Sequence, residues 1–140
     1  MNIVPFQASH LYDLSLQESQ LGFSMYFDEK YGAALKRGGP CFSGFDGEQM
    51  IGCAGIIHQW DNRAIAWALL SNDCGKCFVK IHKAVRNFLD KADYNRVEAY
   101  VDADFEQGHR WVEMLKFEQE GLMRQFNPDG RDAYMYARLK

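Results

Sequence analysis

The residues best suited to chemistry lie in a short turn between an apolar run and a basic, amphipathic segment. Ala64 to Leu70 is an unbroken apolar stretch of strand length, and Ser71 to Gly75 has the composition of a turn. The segment from Lys76 to Lys91 has helical periodicity. A glycine-containing turn before a helix directs backbone amides and the helix dipole at one point, which favours an anion such as a phosphate. The alternative is an ordinary helix start capped by Asp73.

The same turn holds the sequence Cys74-Gly75-Lys76-Cys77, a C-x-x-C pair at the start of a helix. In thioredoxin-type proteins this arrangement lowers the pKa of a thiol and supports disulfide exchange. That fold also needs a cis-proline opposite the thiols. The chain has three prolines, Pro5, Pro40 and Pro128, and none lies between the C-x-x-C pair and the next strands. The pattern therefore favours an anion site over a redox site, and we expect no functional disulfide here.

The composition is that of one globular domain. The chain has 140 residues, of which 47% are hydrophobic and 14% aromatic, so a sizeable core is expected and disorder is not. The net charge of −3 argues against a nucleic-acid-binding protein driven by bulk charge. The stretch from Met1 to Pro5 lacks the features of a signal peptide, and no apolar run approaches membrane-spanning length. We expect a single domain over residues 1–140.

The cysteines indicate a reducing compartment and no metal site. Four cysteines in 140 residues fall below the density of a disulfide scaffold, so we expect a cytoplasmic protein. Cys41 and Cys53 fall in separate predicted strands, without a second C-x-x-C or a spaced pair of histidines, which argues against zinc. No nucleic-acid or membrane partner is expected.

The elements that position the turn follow from periodicity and turn residues. Helix caps are predicted at Ser9 and at Asp104, which is spaced to form a capping box with Gln107. Asp46-Gly47 predicts one hairpin turn, and Asn127 to Gly130 predicts another. The predicted elements are, in order, a strand over Asn2 to Phe6, helices over Ser9 to Gln17 and Phe23 to Leu35, strands over Cys41 to Phe45, Glu48 to Trp60 and Ala64 to Leu70, a helix over Lys76 to Lys91, a strand over Arg96 to Val101, a helix over Phe105 to Leu115, and strands over Phe117 to Phe126 and Arg131 to Arg138. This order predicts an α/β fold in which an antiparallel meander precedes a parallel crossover.

Side-chain patterns predict which faces are buried. An aromatic stripe over Phe23 to Leu35, which includes Tyr31, is expected in the core. The segment Ile51 to Ile57 is almost wholly apolar, as in a strand buried on both faces, and its two glycines indicate a bulge or a close backbone approach. The helix from Lys76 to Lys91 pairs an apolar face with a basic one, which either faces solvent or receives a phosphorylated ligand.

This order of elements resembles the GCN5-related N-acetyltransferase (GNAT) superfamily over nearly the whole chain. The family's last helix carries an Asn, an Ala three residues later and then Leu-Tyr, and it ends in Gly-Phe before a strand that often opens near Glu-Gly. Leu115, Phe117 and Glu120-Gly121 match the end of that motif, and Gly108 stands where the small Ala is usual. The resemblance implies a single GNAT-like domain with a mixed central sheet flanked by helices.

In this family the turn after the fourth strand binds acetyl-CoA through the pattern Gln or Arg, two residues, Gly, one residue, Gly or Ala. Gly75 matches that pattern, whereas Asn72 and Cys77 depart from it. The resemblance implies that backbone amides from about Cys74 to Phe78 hold the pyrophosphate and that the strand edge near Leu69 pairs with the pantetheine amides. The implied cofactor-binding residues are Leu69, Leu70, Ser71, Asn72, Cys74, Gly75, Lys76, Cys77 and Phe78.

Many GNAT enzymes use a Tyr on the last helix as the acid that protonates the departing thiolate. Here Val112 stands at that position, Phe105 at the position of the Asn, and Lys116 at that of the Gly. A general base must also take a proton from the acceptor amine. The candidates near the expected cleft are His58, Asp102 and His109. Loss of the acid alone does not abolish acyl transfer in principle, because proximity supplies much of the rate.

Within the superfamily the chain looks most like small GNAT-like proteins encoded by tailed bacteriophages, some of which are packaged in the virion. Trp67-Ala68-Leu69-Leu70 and Gly108-His109-Arg110-Trp111 carry this resemblance. The resemblance implies an acyl-CoA-dependent N-acetyltransferase that acts on an unknown amine, of a protein or a small molecule, in the host cytoplasm or the virion. The alternative is a catalytically silent GNAT fold that serves as a virion or binding protein.

Overall fold

A computed structural model describes residues 1–14 and 29–140 of the chain. Short 3-10 helices span Ala8–Asp13 and Cys74–Cys77. The strands and α-helices of the described residues are β1 (Asn2–Pro5), α1 (Glu29–Gly38), β2 (Cys41–Asp46), β3 (Gln49–Trp60), β4 (Arg63–Leu70), α2 (Phe78–Lys91), β5 (Arg96–Asp102), α3 (Glu106–Met114), β6 (Glu118–Met123) and β7 (Ala133–Leu139).

The strands form a mixed sheet in the order β1-β2-β3-β4-β5-β7-β6. The pairs β1–β2, β2–β3, β5–β7 and β6–β7 are antiparallel. β4 and β5 are parallel, with Arg63 opposite Arg96 and Ile65 opposite Glu98, and α2 lies between them in the chain. The predicted α/β class, with a meander followed by a parallel crossover, is therefore confirmed. The register ends at Ile65 and Glu98, although the two strands continue to Leu70 and Asp102.

The described residues form two compact units. The first comprises the described part of Met1–Ile57 together with Trp67–Ala92, and the second comprises His58–Ala66 and Asp93–Lys140. The core of the first unit is formed by Phe6, Leu11, Leu35, Cys41, Met50, Cys53 and Leu69. Buried apolar residues of the second unit are Ala64, Val97, Ala99, Val101, Val112, Leu115, Phe117, Ala133, Tyr136 and Ala137. A single domain over residues 1–140 stays a prediction.

Glycines in β3 allow its neighbours to approach closely. A β-carbon at Gly52 would lie 2.9 Å from the carbonyl oxygen of Leu69, and one at Gly55 would lie 2.7 Å from that of Pro40. Contacts this short have no room for a side chain, so the predicted close backbone approach is confirmed. The β2–β3 ladder is also irregular here: Gly44 and Phe45, consecutive in β2, pair with Gly52 and Met50, so the extra residue of the bulge, Ile51, lies in β3 beside Gly52.

A buried carboxylate fastens the parallel pair. Glu98 on β5 is 3% exposed and accepts hydrogen bonds from Arg63 of β4, whose Nη2 lies 2.8 Å from Oε1, and from Arg96, whose Nε lies 2.7 Å from Oε2. Tyr100 donates to the same carboxylate, and Arg96 also pairs with Glu120 of β6. The hydrogen bonds from Arg63, followed by those from Arg96 and Tyr100, lower the pKa of Glu98 to about 2 against the cost of burial.

At the end of α3 a lysine adopts a backbone conformation that glycine normally takes. Lys116 has a φ of +69°, in the left-handed region. Its amide donates to the Glu113 carbonyl and the amide of Phe117 donates to the Val112 carbonyl, both at 2.9 Å. This pair of bonds is a Schellman motif, whose left-handed position normally holds glycine because a β-carbon is strained there.

Several predicted boundaries are wrong for reasons of capping. Gln7, not Ser9, caps the first 3-10 helix, because the ring of His10 reaches back to accept the Gln7 amide at 3.0 Å. Asp104 and Gln107 form no capping box; α3 begins after Phe105, whose amide donates to the Asp102 carbonyl. The Asp104 carboxylate instead lies 3.8 Å from Arg131, and the ring of Phe105 occupies the space above Gly108.

Other predictions differ in position. The β2–β3 loop consists of Gly47 and Glu48, because Asp46 pairs with Gln49 and Gly47, with φ +63°, takes the first loop position as in a type II′ turn. α1 continues to Gly38, three residues beyond the predicted end of the helix at Leu35. The predicted helices over Ser9 to Gln17 and Phe23 to Leu35 lie partly outside the described residues. Among the described members of the aromatic stripe, Leu35 is buried, whereas Tyr31 is 39% exposed.

Within residues 1–14 and 29–140, no helix is long and apolar enough to cross a membrane.

The Glu98 network predicts acid-sensitive stability. Because the fold lowers the pKa of Glu98 from 4.5 to about 2, its ionised carboxylate stabilises the fold fully above about pH 4.5, and that contribution is lost as the pH falls towards 2. We expect Glu98→Gln to lower the free energy of unfolding by roughly 2–3 kcal/mol at pH 7 and to lose less than the wild type between pH 4.5 and pH 2.5. Urea unfolding of the wild type and the variant at pH 7, pH 4.5 and pH 2.5 measures these free energies. The matched control is Glu118→Gln, at an exposed glutamate of β6; equal losses from the two variants would contradict the assignment.

The left-handed Lys116 predicts a stabilising substitution. We expect Lys116→Gly to raise the free energy of unfolding by roughly 0.5–1 kcal/mol, because relief of the strained β-carbon exceeds the added chain entropy of glycine. For a chain of this size the melting temperature should rise by about 2–4 °C in a thermal melt. Lys116→Ala removes the same charge but keeps the β-carbon, so it should bring no gain. A fall in melting temperature for Lys116→Gly would be evidence against the strain.

Candidate functional site

The candidate turn begins where β4 leaves the sheet. Ser71 is 1% exposed, and its amide donates to the carbonyl of Ile51 on β3 at 2.8 Å. Its hydroxyl accepts the amide of Asp73 at 3.0 Å, and its carbonyl accepts the amide of Cys74 at 3.2 Å. Ser71 therefore anchors the turn to β3 and starts the 3-10 helix Cys74–Cys77.

The turn leads into α2 through a 3-10 segment rather than directly. Residues Cys74–Cys77 form that segment, and the amide of Phe78 donates to the Gly75 carbonyl as α2 begins. The predicted helix start at Lys76 is therefore two residues early. Asn72, Asp73, Gly75 and Lys76 are exposed, whereas Cys74 and Cys77 are buried.

Gly75 is an exposed point of the turn with open space around it. A β-carbon placed there would meet nothing within 4 Å, and its φ is not in the left-handed region. The protein itself therefore has no packing or conformational need for glycine at this position. Glycine at this position leaves the backbone of the turn open to direct approach by a ligand.

The charged side chains of the turn are held by the β2–β3 hairpin. The Asp73 carboxylate accepts a hydrogen bond from Nε2 of Gln49 at 3.1 Å. Asp73 stands at the N-cap position of the 3-10 helix, but its side chain makes no capping hydrogen bond. Lys76 Nζ lies 3.8 Å from the Asp46 carboxylate, and both side chains are exposed. The alternative prediction, that the Asp73 side chain caps the helix, is therefore wrong.

The thiols of this unit are buried. All four cysteines of the chain lie in the interior, and burial raises the pKa of Cys53 to about 12, with a further contribution from Cys41. Burial also raises the pKa of Cys41. A buried thiol with a raised pKa is a poor nucleophile. Across residues 1–14 and 29–140, no group of three or more His, Cys, Asp or Glu side chains is arranged to hold a metal ion.

α2 has the two faces that the sequence predicts. Ile81 and Leu89 are buried, and the ring of Phe88 contacts that of Phe42 on β2, edge to face at 5.8 Å. The basic side chains point to solvent; they are Lys80, Lys83, Arg86 and Lys91. This exposed basic face follows directly on the turn.

The three candidate bases lie in the second unit, and His109 is the most constrained. Its Nε2 lies 3.0 Å from the Ala103 carbonyl, so that nitrogen carries the proton and donates. Its Nδ1 lies 2.8 Å from the hydroxyl of Tyr136, and its ring packs against that of Tyr134. Both ring nitrogens are engaged within the fold, as expected of a histidine that ties α3 to β7.

Asp102 closes β5 in a polar cluster. It is 7% exposed; Nδ2 of Asn127 donates to Oδ1 at 2.7 Å and Arg131 donates to Oδ2 at 3.1 Å. Burial raises the pKa of Asp102, and the bonds from Asn127 and Arg131 oppose that rise. Arg131 also pairs with Asp129, so the cluster fixes the β6–β7 turn against the end of β5.

His58 is exposed near the end of β3. Its Nδ1 lies 2.8 Å from the Tyr94 hydroxyl, and the two rings are 5.7 Å apart. Sequence reasoning missed the partners of all three candidates, because each partner is distant in the chain: Tyr94 for His58, Asn127 for Asp102 and Tyr136 for His109.

Comparison with known proteins decides the family. No protein-family model matches the chain. A curated relative, the uncharacterized N-acetyltransferase p20 of Bacillus licheniformis, is 30% identical over 158 aligned positions, which cover 100% of this chain and 78% of the relative. The chain belongs to the GNAT superfamily of N-acetyltransferases. The finer resemblance to phage-encoded GNAT proteins, with its virion or host-cytoplasm location, stays a prediction.

Solved structures show the GNAT fold independently. Ard1 from Thermoplasma volcanium has a TM-score of 0.80 at 13% identity, with 99% of this chain and 96% of that chain covered. The ribosomal-protein-S18-alanine N-acetyltransferase from Escherichia coli has a TM-score of 0.76 at 17% identity, with 99% and 92% covered. At these identities the likeness establishes the fold. The fold is not that of thioredoxin, so the thioredoxin-type interpretation of the C-x-x-C pair is wrong.

The last helix packs closely, with Val112 at the position where the resemblance to the family places the acid. Val112 is 8% exposed and lies on the buried side of α3 with Gly108. A β-carbon at Gly108 would approach Val101 of β5 to 2.9 Å, which explains the small residue at this motif position. Leu115, at the end of α3, is buried as well, whereas Phe105, just before the helix, is half-buried.

The contacts of His109 predict a structural role. We expect His109→Leu to lower the free energy of unfolding by about 1–2 kcal/mol, because the Ala103 carbonyl and the Tyr136 hydroxyl both lose a ring nitrogen. His58→Leu is the matched control, because His58 is exposed and makes one hydrogen bond, and its loss should be smaller. Chemical denaturation measures both variants; a His109→Leu protein as stable as the wild type would show that these bonds contribute nothing.

Proposed function

We propose that this GNAT protein transfers an acetyl group from acetyl-CoA to an amine. The observation that carries the proposal is the open glycine of the β4–α2 turn: Gly75 is exposed, its β-carbon position is empty, and the fold has no need of glycine there. Close approach of a ligand to the backbone would explain a glycine at this position, and membership of an N-acetyltransferase family supports acetyl-CoA as that ligand.

The proposed cofactor site is the segment from Leu69 to Phe78 without Asp73. The amides of the turn between Cys74 and Phe78 would face the pyrophosphate, with Lys76 supplying positive charge. The edge of β4 near Leu69 would pair with the pantetheine amides as an added strand does. The exposed cations Lys80 and Lys83 of α2 lie one and two turns beyond Lys76, which suits a polyanionic ligand.

The chemistry asks little of the protein beyond positioning. The uncharged amine attacks the acetyl carbonyl carbon, the C–N bond forms as the C–S bond breaks, and CoA departs as a thiolate. An ordinary thiol has a pKa of about 8.5, so the thiolate leaves without an obligatory acid. This accommodates Val112 in place of the family's Tyr, because holding the two reactants together supplies much of the rate.

The proton of the amine still needs an acceptor, and His58, Asp102 and His109 stay candidates for that role. Asp102 and His109 are committed to hydrogen bonds that hold their own unit together. His58 is exposed and its ring is the least committed of the three. The acceptor amine belongs to a protein or a small molecule, as in GNAT proteins generally.

Cofactor binding can be tested at Gly75 without disturbing the fold. We expect Gly75→Glu to abolish acetyl-CoA binding by steric block and added negative charge, while the melting temperature of the unliganded protein stays unchanged because the new side chain has open space. The wild type should bind in isothermal titration calorimetry, and its melting temperature should rise with acetyl-CoA concentration.

The matched control is Gly121→Glu. Gly121 also has nothing within 4 Å of its β-carbon position and no left-handed φ, but it lies in β6. This variant adds the same charge and bulk elsewhere, and should bind acetyl-CoA like the wild type. If the wild type shows no binding at millimolar acetyl-CoA, the proposal fails.

A further inference from the structure

A negatively charged side chain stands inside the proposed cofactor turn. Asp73 is exposed and directly precedes the segment Cys74–Cys77. Its carboxylate would repel a bound pyrophosphate, and from the N-cap position it could accept the very amides, of Gly75 and Lys76, that the pyrophosphate needs. Asp73 is therefore a built-in competitor for the cofactor's anionic group.

In the structure the Asp73 carboxylate is turned away from these amides. The Asp73 side chain makes no capping hydrogen bond, although its residue occupies the N-cap position. Its Oδ2 instead accepts a hydrogen bond from Gln49 Nε2 at 3.1 Å. The backbone of Asp73 is fixed separately, by the bond from its amide to the Ser71 hydroxyl, so Gln49 controls the side chain alone.

We propose that Gln49 is a positioning residue for cofactor binding: it holds the Asp73 carboxylate towards the β2–β3 hairpin and thereby leaves the amides of the turn to the pyrophosphate. This inference rests on the proposed function, because it assumes that acetyl-CoA binds at the turn. Gln49 itself need not touch the cofactor.

The start of β3, which carries Gln49, is bonded to the turn through the main chain. Ile51, two residues after Gln49, accepts the amide of the buried Ser71 at 2.8 Å. The neighbouring Gly52 lets the end of β4 approach β3 closely. The start of β3 and the turn are thus joined through the main chain, so the distance between Gln49 and Asp73 is set by the fold.

The same hairpin makes a second side-chain contact with the turn, through the carboxylate of Asp46. Asp46, at the end of β2, lies 3.8 Å from Lys76 Nζ. The hairpin therefore supplies an amide donor to the acid of the turn and an acid to the cation of the turn. Because Asp46 pairs with Lys76, the turn attracts an anion less strongly. The position in which Gln49 holds the Asp73 carboxylate therefore matters more for anion binding.

The test compares Gln49→Ala with Gln49→Ala/Asp73→Asn by acetyl-CoA calorimetry. We expect Gln49→Ala to bind about threefold to tenfold more weakly, because one carboxylate near a diphosphate is worth about that factor in a solvent-exposed site. Adding Asp73→Asn should restore wild-type affinity, since the neutral side chain no longer repels. The loss in Gln49→Ala should shrink at high salt.

The matched control is Gln59→Ala, at an exposed glutamine of the same strand, which should leave affinity unchanged. If the wild type binds and Gly75→Glu does not, but Gln49→Ala binds like the wild type, the positioning role is overturned and the proposed function stands. A loss in Gln49→Ala that Asp73→Asn does not repair would show a structural effect and would also overturn the role. Absence of binding by the wild type overturns the proposed function and, with it, this inference.

Discussion

A carboxylate buried within the sheet constrains how the parallel pair of this fold can form. Glu98 is ionised at 3% exposure, and removing such a charge from water costs several kcal/mol unless partners compensate for it. One partner, Arg63, comes from β4, and another, Arg96, comes from β5 itself. Compensation is complete only when the two strands lie side by side in the observed register. β4 then continues from this fixed start to the turn at Ser71.

The course of the chain could be predicted because its signals are local. Turn residues, apolar alternation and helical periodicity each act over a few positions, and they located every strand that the structure describes to within a few residues. The Glu98 network could not be predicted in this way, because Arg63 and Glu98 are 35 positions apart. A charged residue in a strand normally indicates a solvent-facing position, and only the neighbouring strand reveals why Glu98 is buried.

The candidate site, too, has a part that local signals predict and a part that depends on residues distant in the chain. The position of the turn was predictable from Ser71 to Gly75, because strand, turn and helix are consecutive. The state of its side chains was not: Asp73 looks like a helix cap in the sequence, and its actual partner is Gln49, 24 positions earlier. The roles of the histidines were even less predictable. A lone histidine carries no local signal that distinguishes His109, which is bonded at both ring nitrogens, from the exposed His58.

The last helix shows how a GNAT motif can lose side chains and keep its geometry. Lys116 replaces the usual glycine yet adopts the left-handed backbone that glycine would take, so both bonds of the Schellman motif form. Gly108 keeps α3 close to β5, and Val112 fills the position of the acid with an apolar side chain. Packing therefore accounts for the geometry of the helix without a proton donor at Val112. Because a departing thiolate needs no obligatory proton, such a helix remains compatible with the proposed acyl transfer, in which holding the two reactants together supplies much of the rate.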